Sequence, residues 1–199
     1  HMTKVTCLHS HNFMNKTKLF VDVDGVIIDS IKAYCSSYNE LYKDHPEFKP
    51  ALWYECEEWD FKDVAPLVNN CNEIFSSPLF FKYAEFINNN TKEVIEELCN
   101  KYIVTVCTIG THDNIALKSL WLKDNLPCVK NHIFIVNDGC KMDKSCIDMS
   151  NSIFIDDVVS NLDSSNATYK IIFGDKYKWN KTDRYLRCFN WTDVLKILI

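Results

Sequence analysis

"LFVDVDGVIIDS", residues 19–30, is an apolar run broken by two carboxylates. Val21, Val23, Val26, Ile27 and Ile28 favour burial, whereas Asp22 and Asp24 tolerate it only beside groups that satisfy their charge. The run reads as a buried strand that delivers acidic groups to its carboxyl end. Side chains at i and i+2 of a strand share a side, so Asp22 and Asp24 are expected to face one site while Val23 packs away. Gly25 then permits a sharp departure of the backbone close to a ligand.

Four further segments have the same apolar, strand-length character: "YIVTVCT" (102–108), "HIFIVN" (132–137), "SIFIDD" (152–157) and "TYKIIFG" (168–174). Together with 18–24 they make five expected parallel strands. Helical patterns alternate with them. "TKEVIEELCNKY" has Thr91 as N-cap and Val94, Ile95 and Leu98 on one face. "NIALKSLWLKDNL" carries Ile115, Leu117, Leu120, Trp121 and Leu122, and "WTDVLKILI" closes the chain. This alternation predicts an α/β, Rossmann-like open parallel sheet with helices on both faces. Residues 30–101 exceed what a crossover needs. We read 30–90 as a small helical cap inserted after the first strand, and 18–29 with 91–199 as the α/β core. Residues 1–17 read as a loose arm, and His1-Met2 as a cloning remnant.

Composition narrows the class. The chain has 199 residues, is 47% apolar and carries a net charge of −5. That suits one domain with an insert and provides no general basic field for duplex nucleic acid. No apolar run approaches the ~20 residues that span a bilayer, and no secretory pattern leads the chain. Ten cysteines occur with no C-x-x-C pair. They read as free thiols in a reducing cytosol, not as a zinc site or disulfide framework, so a cytoplasmic location is expected. Cys140 and Cys146 lie near the inferred active-site loop, where plain thiols are the commoner reading over a redox pair.

In an open α/β sheet, ligands bind beyond the carboxyl ends of the strands. Three of these ends are polar: Asp22 and Asp24, then Thr108 followed by Ile109, then Asp156 and Asp157. Clustered carboxylates repel one another unless a hard cation relieves them, and an oxygen-only donor set favours Mg²⁺ over zinc. A phosphate ligand would add negative charge and call for a cation, which "CKMDKSCI" offers as Lys141 or Lys144. Each motif alone has an ordinary reading. "IDD" serves equally well at a helix start, Thr108 is a common strand residue, and lysines are mostly solvated. An EF-hand fails on spacing, because its sixth and twelfth positions from Asp22 hold Ile27 and Ala33.

Taken together, "DVDGV", "VTVCT", a lysine and "IFIDD" occur in the order and on the elements of the four motifs of haloacid dehalogenase-like (HAD) phosphotransferases, which the chain resembles. The resemblance implies that Asp22 attacks phosphorus and that Asp24 protonates the leaving oxygen, then activates water. It implies that Thr108, backbone groups near Ile109 and a lysine hold the phosphoryl group. It also implies that Asp22, Asp156 and the carbonyl of Asp24 bind Mg²⁺, with Asp157 in support. "MDKSCI" favours Lys144 over Lys141. Further stretches, "SSPLFFKYAEFINNNTKEVIEELCNKYIVTVCT", "LKSLWLKDNL" and "CFNWTDVLKIL", are similar to the 5′(3′)-deoxyribonucleotidase branch. A nucleoside monophosphate is the substrate this implies, with Phe80, Phe81 and Trp59 of the cap against the base. The remaining aromatics, Trp53, Tyr54 and Phe61, read as cap core. Competing readings are a sugar-phosphate phosphatase, a phosphatase of polynucleotide ends, and a silent nucleotide binder.

Overall fold

The computed structural model describes residues 16–139 and 142–199. Six strands form one parallel sheet in the order β3-β2-β1-β4-β5-β6. They are β1 (Lys18–Val21), β2 (Ile103–Gly110), β3 (Asn131–Val136), β4 (Ser152–Asp156), β5 (Tyr169–Phe173) and β6 (Leu186–Cys188). The chain moves outward from β1 to β3, then returns to pair β4 against the other side of β1. That reversal opens a crevice at the carboxyl ends of β1, β2 and β4, where such sheets take their ligands. The sixth strand escapes sequence reading because three residues, Leu-Arg-Cys, carry no periodicity.

The pleat sorts the side chains. Leu19, Val21, Val104, Val106, Ile153 and Ile155 pack on one face under α4 (Thr91–Lys101), α5 (His112–Asn125) and α7 (Trp191–Leu198). Phe20, Cys107, Phe154 and Ile172 pack on the other, under α6 (Val159–Ser164). Trp191 is fully buried and its indole N–H donates to the Val26 carbonyl at 2.8 Å. Asn90, not Thr91, holds the N-cap position of α4, and the Thr91 hydroxyl accepts from the Asn88 amide. Leu120 faces solvent, contrary to its expected place on the buried face of α5.

Residues 30–90 contain α1 (Ser30–Tyr42), α2 (Asn72–Phe75) and α3 (Pro78–Tyr83). Between Lys43 and Cys71 there is only one 3₁₀ turn, at Trp53–Glu55, so this part is less helical than expected. Aromatic packing holds it together: Tyr34, Tyr38, Phe61 and Phe80 are fully buried in a cluster of their own. Phe61 takes a left-handed φ of 58°, which a bulky residue rarely adopts, while its ring stacks on Tyr34 at 4.1 Å. The outgoing and returning chains run side by side. Asp29 N–H donates to the Glu85 carbonyl at 3.0 Å, and Ile87 N–H to the Ile27 carbonyl at 2.9 Å. These bonds tether the insert beside the carboxyl edge of β1. The arm expected at residues 1–17 lies almost wholly outside the described residues.

Candidate active site

The two aspartates of the opening stretch reach the site by a turn, not along a strand. β1 ends at Val21, and the Asp22 amide still donates to the Ile155 carbonyl at 3.0 Å. The chain then folds back, with the amides of Ile27 and Ile28 both donating to the Val23 carbonyl at 2.9 Å. Gly25 closes the turn at φ +73°, and a Cβ there would lie 2.5 Å from an Asp157 carboxylate oxygen. No other residue satisfies both the dihedral and the contact.

Asp22, Asp156 and Asp157 are buried, with carboxylate oxygens within 4.8 Å of one another. Lys144, also buried, sits between two of them: its Nζ is 2.6 Å from Asp22 and 2.5 Å from Asp156. A single 3₁₀ turn, Lys144–Cys146, presents this lysine, and Asp143 caps the turn by accepting from the Ser145 amide. Lys141 and Cys140 lie outside the described residues, and Cys146 is exposed. Asp156 is fully engaged. Its Oδ1 accepts from the Val158 amide and its Oδ2 from Lys144, and the Asn161 amide reaches both. Asp157 differs: Oδ2 accepts from the Trp179 indole N–H at 2.8 Å, while Oδ1 is buried with no hydrogen-bond partner.

These environments perturb the charges. Burial, opposed by Lys144 and reinforced by Asp156 and Asp24, raises the Asp22 carboxyl to about 7. Burial, then Asp156 and Asp22, pushes Asp157 well above the ordinary carboxylate range. Burial also works against the Lys144 charge, but Asp156 and Asp22 outweigh it and hold that pKa above its usual value. One ammonium thus serves three carboxyl groups, too little positive charge to keep all of them ionised once buried, and one buried oxygen among them has no partner. A hard divalent cation fits this oxygen-only donor set, and the free Asp157 Oδ1 makes Asp157 a direct donor candidate beside Asp22. The sequence reading gave Asp157 only a supporting place. Protons should compete with a cation here at pH values where ordinary carboxylates stay charged. Mg²⁺ affinity, measured by calorimetry on metal-stripped protein, is expected to fall between about pH 8 and pH 6. An affinity flat across that interval would place the cation elsewhere.

A cavity of about 510 Å³ opens above this cluster, a size suited to a small ligand. Asp22, Asp24, Thr108, Ile109, Lys144 and Asp157 line its floor. Trp59 from the cap and Trp179 from the β5–β6 connection line its wall, their rings meeting edge to face at 5.1 Å. Phe80 and Phe81 do not reach it. Phe80 is fully buried against Phe75 in the cap core, and Phe81 is half-buried beneath, so the expectation that they touch a base is corrected. Both lie on α3, which Pro78 starts and on which Phe80 is the buried residue. Ser76 and Thr111 hydroxyls join cap to core at 2.7 Å, and the Asn114 amide donates to the Phe75 carbonyl at 2.7 Å. Sequence reading missed Lys118, Asn161 and Trp179. Lys118 had a signal: it lies three residues after Ile115 and three before Trp121, on the buried stripe of α5. Trp179, in a polar stretch, had none.

A doubly wound sheet, an insert after β1 and four motifs at one edge define a haloacid dehalogenase-like hydrolase. Solved structures share that fold. A HAD-like family hydrolase from Streptococcus pneumoniae is 14% identical with a TM-score of 0.61, covering 90% of this chain and 97% of its own. A HAD-hydrolase from Bacillus subtilis, described as bound to magnesium, is 13% identical with a TM-score of 0.62, covering 92% and 99%. Residues 15–199 match the family of 5′ nucleotidase, deoxy (pyrimidine), cytosolic type C proteins, and the chain belongs to that family. It is also 27% identical to the 5′(3′)-deoxyribonucleotidase of Clostridium acetobutylicum over 188 residues, 91% of this chain and 94% of that protein. The chain is thus an enzyme of the HAD phosphatase class.

Proposed function

We propose that the protein is a Mg²⁺-dependent phosphomonoesterase that hydrolyses nucleoside monophosphates, deoxyribonucleotides among them, through an aspartyl-phosphate. The observation that carries this reading is the gathering of Asp22, Asp24, Thr108 and Lys144 on the floor of one cavity with an indole wall. Asp22 Oδ attacks phosphorus, and the bond from phosphorus to the leaving oxygen breaks as Asp24 gives that oxygen a proton. Water then attacks the aspartyl-phosphate while Asp24 takes its proton, and inorganic phosphate leaves with Asp22 restored. The Thr108 hydroxyl, backbone N–H groups near Ile109 and the Lys144 ammonium hold the phosphoryl oxygens. Asp22 and Asp157, with the Asp24 carbonyl and with Asp156 once it gives up one of its present donors, would hold Mg²⁺, which when bound offsets phosphoryl charge. The base lies against Trp59 and Trp179, a stacking of ~1–3 kcal/mol that positions the reacting bond from a distance.

No described helix is long and apolar enough to cross a membrane. The eight free cysteines among the described residues support a reducing compartment, in keeping with the cytoplasmic reading.

A panel of nucleoside monophosphates and sugar phosphates, assayed for phosphate release with Mg²⁺ and with EDTA, tests the proposal. Nucleotides should be preferred and turnover should vanish in chelator. Trp59→Ala should raise KM for nucleotides by roughly tenfold, a loss of one stacking contact, and leave p-nitrophenyl phosphate nearly unaffected. Sugar phosphates outrunning every nucleotide would overturn the substrate reading, and full activity in EDTA the metal reading.

A further inference from the structure

Lys118 is a lysine with no exposed surface, on the buried face of α5 with Asn114, Ile115, Trp121 and Leu122. Its Nζ is 2.5 Å from Asp24 Oδ2 and 3.0 Å from Thr108 Oγ1. Both partners line the cavity, and Lys118 does not. It therefore stands behind the reaction site and ties the β1 turn to the end of β2. Asp24 is gripped from the other side as well, because the Ser30 hydroxyl donates to its Oδ1 at 2.7 Å.

Burying an ammonium costs more than its pairing usually returns, and a well-packed apolar side chain commonly serves stability as well or better. Stability alone thus gives no reason for a lysine at this position. We infer that Lys118 is a positioning residue: with Ser30 it fixes the Asp24 carboxyl in the orientation that delivers a proton to the leaving oxygen, and it keeps Thr108 in register with it. The inference rests on the role proposed above for Asp24. Without Lys118, Asp24 retains one anchor and turns toward water, since it alone of the four acidic groups is only partly buried.

The role predicts dependence on the leaving group. A nucleoside leaves as an alkoxide and needs a proton in the transition state, whereas p-nitrophenolate leaves without one. The measurement is kcat/KM, which covers steps through departure of the leaving group. Lys118→Met is expected to lose about 10²-fold on a deoxynucleoside 5′-monophosphate, within the range of acid–base assistance, and less than about tenfold on p-nitrophenyl phosphate. In an Asp24→Asn background the same substitution should leave the ratio of the two esters unchanged, because the proton donor is already gone. Mg²⁺ affinity, read by calorimetry, should stay within about twofold. If Lys118→Met loses its cooperative melting transition, Lys118→Gln, which keeps one N–H donor, is read by the same ratio. Equal losses on both esters in a folded variant would overturn the inference and leave Lys118 a packing or phosphate-holding group. A wild-type chain that hydrolyses neither ester would overturn the phosphatase reading along with it.

Discussion

Asp22→Asn is expected to remove essentially all turnover, roughly 10⁴–10⁶-fold, the scale on which loss of a nucleophile is felt. An amide cannot form the acyl-phosphate, so no phosphorylated protein should be trapped when the variant is quenched in acid with labelled substrate. The fold should survive. Asn matches the shape of Asp, and Lys144 keeps Asp156 at 2.5 Å as a charged partner. Relieving burial of one carboxylate also removes a destabilising contribution, since Asp22 is raised to about 7 chiefly by desolvation. A melting transition at or above that of the wild type, with no phosphate release, is the expected pairing. Near-normal rates would show that Asp22 does not attack phosphorus.

Asp24→Asn is expected to cost about 10²–10⁴-fold on nucleotides, the usual worth of a positioned acid–base group. The loss should be clearly smaller on p-nitrophenyl phosphate in kcat/KM. Its effect differs from that of Asp22→Asn on a second measurement. Mg²⁺ affinity should change little, because the side-chain oxygens that crowd together belong to Asp22, Asp156 and Asp157, not Asp24. A large fall in Mg²⁺ affinity in this variant would make the Asp24 carboxylate itself a ligand and assign the proton transfer to another group.

Much of this site was legible before folding was considered. Apolar strand-length runs, each closing in polar residues, marked Asp22, Asp24, Thr108 and Asp156 as neighbours, because parallel strands of one sheet end at one edge. Lys144 was legible as the needed countercharge, and it is the described lysine that meets Asp22 and Asp156. The cap was less legible. Its aromatics outnumber the places in any binding wall, and local sequence does not say which of them a small core consumes. Phe80 and Phe61 went to that core while Trp59 was left at the cavity.

Periodicity and motif order, properties of the chain alone, determined the α/β class, the insert after the first strand and the acidic and cationic residues at the sheet edge. These features are local: burial period and strand-end chemistry act over a few residues. Only the tertiary structure decided the rest. Lys118 reaches Asp24 across 94 positions of sequence, and Trp179 reaches Asp157 from a single 3₁₀ turn, Lys178–Asn180, whose sequence has no periodicity. Asp157, not the saturated Asp156, keeps the free oxygen. Each outcome depends on which donors arrive from distant segments to fill a buried carboxylate's lone pairs, and that pairing is set by packing, not by spacing along the chain.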